Sequence, residues 1–134
     1  MGLGADILGL FAAPFIRQIA AIAGENLIKF SPVSLLAPNG NAKIIGNVEN
    51  EVECMVGLTR SSVNTGQSVD IFLPGQIVPG FIGASSLILS TQYFAHDGQI
   101  KTWNQIPAGG WFRSIGAPIS TDQLNFVLGP TGQK

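Results

Sequence analysis

The sequence predicts a mainly β chain: a small antiparallel sandwich, jelly roll or barrel, preceded by one apolar α-helix over about residues 4–28. A change of period along the chain is the first reason. Apolar residues recur at spacings of three and four near the N-terminus, whereas they alternate with polar residues after residue 43. The 17 glycines and 8 prolines favour many turns. Because strand and helix patterns never alternate, a parallel α/β fold is excluded.

The N-terminal helix is predicted to be apolar around most of its circumference. One face has Leu8, Phe11, Phe15, Ile19 and Ile22 at helical spacing. A helix with so wide an apolar arc has to be buried in the chain's own core, on neighbouring copies or on a bilayer surface. We expect these five residues to be interface or membrane-facing. Pro14 and Arg17 disfavour a membrane span, and the lack of basic residues before Arg17 disfavours a secretory signal.

Short strands are predicted over residues 43–48, 51–58, 67–73, 86–94, 99–104, 110–115 and 123–128. Asp97-Gly98 predicts a two-residue hairpin turn, since glycine accepts a positive φ. The register of that hairpin pairs Tyr93 with Thr102 and Phe94 with Lys101. The chain is therefore predicted to have a helical segment (1–30), a linker (31–42), a β-domain (43–128) and a tail (129–134) that extends or frays.

The chain has unusually little charge. Only 11% of its residues are charged and 46% are hydrophobic, against about 25% charged in ordinary soluble domains. Either serine, asparagine, glutamine and threonine coat its surface, or copies, partners or lipid cover much of it. The basic residues are scattered, so we expect no binding to nucleic acid. Cys54 is the single cysteine and forms no intrachain disulfide or CxxC motif.

No constellation of residues indicates catalysis, and we expect no enzyme and no cofactor. His96 and Asp97 fall in or beside the predicted hairpin turn. Cys54 is expected to face the core of its strand without a base to activate it. Glu49, Glu51 and Glu53 would project from one face of that strand, about 7 Å apart. They form a weak candidate site for Ca²⁺, a partner for arginines of another copy, or a solvated edge.

Two aromatic or apolar stretches remain. Trp103 and Trp111 flank a glycine-rich loop, and they fill the core, anchor an interface or stack on a sugar. Residues 72–84 are apolar but punctuated by proline and glycine, so they cannot form one continuous strand. We expect Phe72, Ile77 and Phe81 to lie in a buried subunit contact.

These features together predict a non-enzymatic structural protein that self-assembles, as a capsid, vertex or minor component of a virion. In general character the chain is similar to small single-jelly-roll phage proteins, without a motif that identifies a family. Its expected partners are its own copies, other structural proteins and, in one version, a lipid bilayer. Its expected location is the particle shell or its inner face, or alternatively a membrane. The alternative function is a carbohydrate- or lipid-binding β-module that uses Trp103 and Trp111.

Overall fold

The computed structural model describes residues 16–134 of the chain. Within them it has eleven strands, one five-residue α-helix and two short 3-10 helices (Gly83–Ser85 and Trp103–Gln105). The strands are β1 (Gln18–Ile22), β2 (Pro32–Ser34), β3 (Lys43–Ile44), β4 (Gly57–Thr59), β5 (Ser68–Phe72), β6 (Gln76–Pro79), β7 (Tyr93–His96), β8 (Gln99–Thr102), β9 (Trp111–Ser120), β10 (Gln123–Phe126) and β11 (Thr131–Gln133). The helix, α1, is Glu49–Glu53.

The strands form two antiparallel sheets. Sheet 1 has the order β1-β5-β4-β2-β3, and sheet 2 has the order β6-β10-β9-β7-β8. The long strand β9 organises sheet 2: Arg113 pairs with Ala95 of β7 and with Thr131 of β11. Strand β11 therefore lies on the edge of β9 opposite β7, in line with β10. The prediction of a mainly β, antiparallel chain is confirmed.

Both sheets contribute to one buried cluster, which we call the shared core. Leu58 and Phe72 enter it from sheet 1, and Val78, Ile115 and Phe126 enter it from sheet 2. A second cluster covers the other face of sheet 1, and its buried members are Ala23, Leu27, Val33, Ala42, Val69 and Ile71. Sheet 1 is thus apolar on both faces, because alternate side chains of β5 point into different clusters.

The hairpin formed by β7 and β8 agrees with its predicted register. Tyr93 pairs with Thr102, and Phe94 pairs with Lys101. Asp97 and Gly98 both have positive φ, as the two-residue turn requires. A Cβ on Gly98 would overlap the Ile44 side chain. The turn therefore packs directly against sheet 1, and no larger residue fits at position 98.

Residues 18–22 form β1, so the predicted helix is wrong over this part of its length. Every residue of β1 pairs with β5, from Gln18 with Phe72 to Ile22 with Ser68. Strand β5 has β4 on one side, and its other edge offers backbone groups that β1 satisfies. Ile19 and Ala21 pack on the second cluster. Their separation of two is that of a strand, whereas the separation of three between Ile19 and Ile22 is that of a helix. Leu8, Phe11, Phe15 and the rest of residues 1–15 lie outside the described residues.

The strand predicted over residues 51–58 is also wrong at its start, where α1 forms. Val52 and Met55 are both buried in the shared core, and their separation of three places them on one side of a helical turn. The carboxylate of Glu51 accepts a hydrogen bond from the Gly46 amide at 3.1 Å. Acidic residues in the first turn also favour the N-terminus of a helix. The strand itself begins at Gly57.

The predicted linker and tail are both partly strand. Pro32–Ser34 in the linker is β2, all three residues being buried, and proline is tolerated there because it is the first residue of the strand. Thr131–Gln133 in the tail is β11, since β9 extends beyond β10 and leaves an edge to pair. None of the helices within residues 16–134 is long and apolar enough to cross a bilayer.

Candidate functional site

A groove of about 550 Å³ opens beside the shared core. Its floor consists of buried residues of that core, Phe30, Phe81, Leu87 and Tyr93. Its walls come from the Ile28–Ser31 turn, the 84–88 segment and the β7–β8 hairpin. The groove is thus bordered by the connections between strands, where loops are free to vary.

The Ile28–Ser31 turn is held in an uncommon backbone conformation. Phe30 has φ of 67°, which is rare for a bulky residue, and its ring stacks on Phe81 with centroids 3.9 Å apart. The buried hydroxyl of Thr59 stabilises the turn: it accepts from the Ser31 amide at 2.9 Å and donates to the Ile28 carbonyl at 2.7 Å. This local strain is maintained by the surrounding hydrogen bonds, a situation common at functional sites.

The opposite wall is anchored by long-range hydrogen bonds. The Tyr93 hydroxyl accepts from the Ile88 amide at 2.8 Å, and the Leu87 amide donates to the Thr121 carbonyl at 2.7 Å. These bonds fix the backbone of a segment that has no strand partner between residues 86 and 92. The groove therefore has a defined shape in the isolated chain.

Exposed aliphatic residues lie in the groove lining or next to lining residues in the sequence. Ile28 and Ile88 belong to its lining, Ile82 lies between the lining residues Phe81 and Ala84, and Leu89 follows Ile88. Their exposed fractions are 66% for Ile28, 69% for Ile82, 63% for Ile88 and 54% for Leu89. We call these four residues the rim. Clustered exposed apolar side chains of this kind mark a surface that another molecule covers.

The groove offers recognition chemistry and little reaction chemistry. Lys29 is the only charged residue among the sixteen described residues that line it, and its Nζ lies 4.9 Å from the centroid of the Phe30 ring. The hydroxyls of Ser85, Ser86 and Thr102 have no carboxylate or imidazole beside them in this lining. A nucleophile needs such a base, so these hydroxyls have no activating partner within the described lining.

The predicted interface residues are dispersed in the structure. Phe72 and Phe81 are buried in the chain's own core, which leaves them little surface for a subunit contact. Ile77 is exposed on β6, an edge strand of sheet 2 in the described residues. Ile22 is exposed and Ile19 half-buried on β1. Of these residues, only Phe81 lies at the groove.

The two tryptophans pack in different clusters. Trp111 packs against the shared core, whereas Trp103 packs with Phe94 and Phe112 in an aromatic cluster. The three ring centroids of the aromatic cluster lie 5.2–5.5 Å apart, in tilted or edge-to-face geometry. The Nζ of Lys134 lies 4.8 Å from the Trp103 ring centroid. Trp103 nevertheless stays 44% exposed.

The acidic and nucleophilic candidates do not form a site. Glu49 and Glu53 lie four residues apart on one face of α1, whereas Glu51 points away from them and accepts a hydrogen bond from the Gly46 amide. Within residues 16–134, no group of three or more His, Cys, Asp or Glu side chains could hold a metal ion. His96 is buried, and its Nδ1 lies 2.8 Å from the Trp111 carbonyl oxygen. Since a carbonyl only accepts, Nδ1 carries the hydrogen and the ring is fixed in place.

The sequence patterns do not predict the rim or Lys29 as part of a site. Ile28 and Lys29 fell at the end of the predicted helix, and Ile88 and Leu89 fell in a predicted strand over residues 86–94. The run Leu87-Ile88-Leu89 was the available signal, because an alternating strand has no place for three consecutive apolar residues. Leu87 is buried, and the other two are exposed.

Comparison with models of known protein families finds no match. A search of curated proteins finds none with significant similarity. The function therefore has to be inferred from the fold and from the groove.

Proposed function

We propose that this chain is a non-enzymatic structural protein that assembles with copies of itself and with other structural proteins. The most specific form of the proposal is a virion component, located in the particle shell or on its inner face. In that form the two sheets make a small sandwich or jelly roll that tiles with its neighbours. The observation that carries the proposal is the apolar rim around a preformed groove.

The rim favours association through the hydrophobic effect. Full burial of one large aliphatic side chain contributes about 1.5–3 kcal/mol. Four half-exposed or more exposed rim residues can therefore contribute several kcal/mol to one contact. Association also has a cost in lost translational and rotational freedom. Further exposed aliphatic residues outside the rim, such as Ile77 and Val127, enlarge the surface available to neighbours.

The distribution of charge supports the same proposal. Three of the seven basic residues, Lys29, Arg60 and Lys134, lie over aromatic rings of their own chain. These cations cover aromatic surface instead of forming a uniform charged coat. Mixed surface charge normally keeps a monomer from associating. With 11% charged residues, this chain has little such protection.

Part of one edge of sheet 1 has no strand partner in the described residues, although its end at Ile22 is hydrogen-bonded to Ala42. Strand β1 lies at that edge, and its sequence QIAAI contains no lysine, glutamate or proline. Natural proteins usually place such residues on edge strands to prevent pairing with other chains. An edge without them suits a protein whose normal state is an assembly.

The test is the mass of the full-length chain in solution, measured by native mass spectrometry and light scattering. We expect defined oligomers for the natural sequence. The substitutions Ile28→Lys and Ile88→Lys should each weaken assembly at least about tenfold, because each replaces more than 1.4 kcal/mol of apolar burial by a charge. Ile119→Lys is the matched control, since Ile119 is 53% exposed and lies outside the groove lining.

Two results would contradict the proposal. If the natural chain remains monomeric at high micromolar concentration, it does not self-assemble. Equal weakening by Ile88→Lys and Ile119→Lys would show that the rim is not the contact between copies. Circular dichroism of all three variants should match that of the natural chain, since the replaced side chains are exposed.

A second candidate function has one observation in its favour. Trp103 is partly exposed beside Phe94 and Phe112, and exposed aromatic rings stack on the faces of sugars. In this alternative the chain is a carbohydrate-binding β-module. Trp111, the partner expected from the sequence, packs on the core instead, so the surface would depend on Trp103 and its two phenylalanine neighbours.

A further inference from the structure

The groove has a simple charge pattern that restricts its occupant. Its described lining is apolar or uncharged apart from Lys29, and Lys29 is exposed at the mouth. An occupant that complements this surface is uncharged along most of its length, packs apolar side chains on the floor and has one negative charge near Lys29. A strongly charged peptide would lose hydration without compensation.

Residues 1–15 of this chain have that composition. They read MGLGADILGLFAAPF, and Asp6 is their single charged side chain. The nine residues that follow Asp6 contain three large aliphatic and two phenylalanine side chains. The segment thus combines one acidic group with a run of apolar residues, whereas the groove combines one basic group with an apolar floor.

The point where residues 1–15 join sheet 1 favours a groove on another copy. Gln18 pairs with Phe72, which pairs with Leu58, which in turn pairs with Pro32, so these four residues lie at one level of sheet 1. Arg17 lies one level beyond them, where its carbonyl accepts from the Leu73 amide at 3.0 Å.

The Ile28–Ser31 turn precedes Pro32 and lies in the opposite direction along the sheet, beside Thr59. Arg17, which lies between the segment and β1, is therefore at the end of sheet 1 away from its own groove. The ten steps along the chain from Asp6 to Ile16 span about 15 Å as a helix and about 35 Å when extended. A groove on an adjacent copy would not require the segment to turn back along sheet 1.

We propose that the groove binds residues 1–15 of a neighbouring copy, with Asp6 of that copy close to Lys29. This inference rests on the proposed function and deepens it by naming the occupant of the groove. The apolar residues after Asp6 cover the rim and the floor between Phe30 and Phe81. Each copy then gives one segment and receives another, which links copies into a chain or a closed ring.

The test uses charge reversal in the full-length chain, followed by mixing. Asp6→Lys places two cations at the contact and Lys29→Glu places two anions there, so each variant alone should require about 5- to 10-fold more protein for half-maximal assembly at low salt. An equimolar mixture should assemble like the natural chain, because every contact between unlike copies again joins opposite charges. The differences should shrink at about 1 M salt, where surface charges are screened.

Lys43→Glu is the matched control. Lys43 is exposed on β3 outside the groove lining, and Lys43→Glu changes the net charge by the same amount as Lys29→Glu. It should assemble normally alone, and it should not rescue Asp6→Lys on mixing. Rescue by Lys43→Glu would indicate unspecific attraction between oppositely charged chains and would overturn the inference.

Disulfide cross-linking tests the same contact in a way that does not depend on the folding of the charge-reversal variants. In a Cys54→Ser background, Asp6→Cys combined with Lys29→Cys should give disulfide-linked oligomers under mild oxidation. A disulfide closed within a single chain would overturn the inference, because the segment would then fill its own groove. Normal oligomers without the disulfide and without charge dependence would overturn the inference and leave the proposed function intact. A monomeric natural chain would reject the proposed function itself.

Discussion

The rim and the aromatic cluster both contain exposed large apolar side chains, but the two regions differ in the contacts that these side chains make within the chain. In the aromatic cluster, each ring packs on two others at 5.2–5.5 Å, and Lys134 lies over Trp103. In the rim, Ile28, Ile82 and Ile88 are each more than 60% exposed. Exposure of a side chain is therefore not sufficient to identify an interaction surface. What matters is whether the chain already supplies the contacts that the side chain can make.

Among substitutions in these two regions, one in the floor below the rim should lower the free energy of unfolding the most. Phe81→Ala removes a fully buried ring that stacks on Phe30, and it should lower the free energy of unfolding by about 3–5 kcal/mol. Urea denaturation below the concentration of assembly measures it. Ile82→Ala is the matched control and should stay within about 0.5 kcal/mol of the natural chain. A loss below about 1 kcal/mol for Phe81→Ala would mean that the floor is not packed as described.

A substitution that weakens the strained Ile28–Ser31 turn should lower the free energy of unfolding by a smaller amount. Thr59→Val keeps the shape of the side chain but removes the hydroxyl that joins the Ser31 amide to the Ile28 carbonyl. Loss of these buried hydrogen bonds should lower the free energy of unfolding by about 1–2 kcal/mol. Amide hydrogen exchange should rise at Phe30 and Ser31, and unchanged protection there would show that the turn does not need Thr59. Thr121→Val, at an exposed turn position, serves as the control.

Substitutions in the aromatic cluster should give the smallest energetic effect. They also test the alternative function. A double-mutant cycle with Trp103→Leu and Phe112→Leu should give a coupling energy of about 0.5–1.5 kcal/mol. If the chain binds carbohydrate, Trp103→Leu should abolish signals on a glycan array while assembly is retained. Absence of glycan signals for the natural chain would remove that alternative, and a coupling energy near zero would mean that the aromatic cluster is not self-supporting.

Local signals explain which predictions of the fold were accurate. The β7–β8 hairpin was predicted to the residue because Asp97-Gly98 specifies a turn whose geometry fixes the register. Residues 68–72 were predicted well for a similar reason, since their alternation is short, clear and bounded by turn residues. Both elements depend on neighbours in sequence more than on distant contacts.

Elements that depend on distant partners were predicted wrongly. Residues 18–22 have the spacing of a helix but pair along their whole length with β5, fifty residues away in the sequence. Residues 49–53 alternate like a strand but form α1, because Val52 and Met55 both enter the shared core. For short segments of this kind, tertiary contacts outweigh intrinsic propensity.

By itself, the sequence determined the β-rich class and the scarcity of charge, since these follow from local period and composition. Only the tertiary structure decided that Phe81 lies under the groove, that Trp103 and Trp111 are separated, and that four aliphatic residues from two distant segments form one rim. The physical reason is that exposure is a property of packing. A run such as Leu87-Ile88-Leu89 has similar hydrophobicity throughout, yet one residue is buried and two face outward, because the chain has room in its core for only one of them.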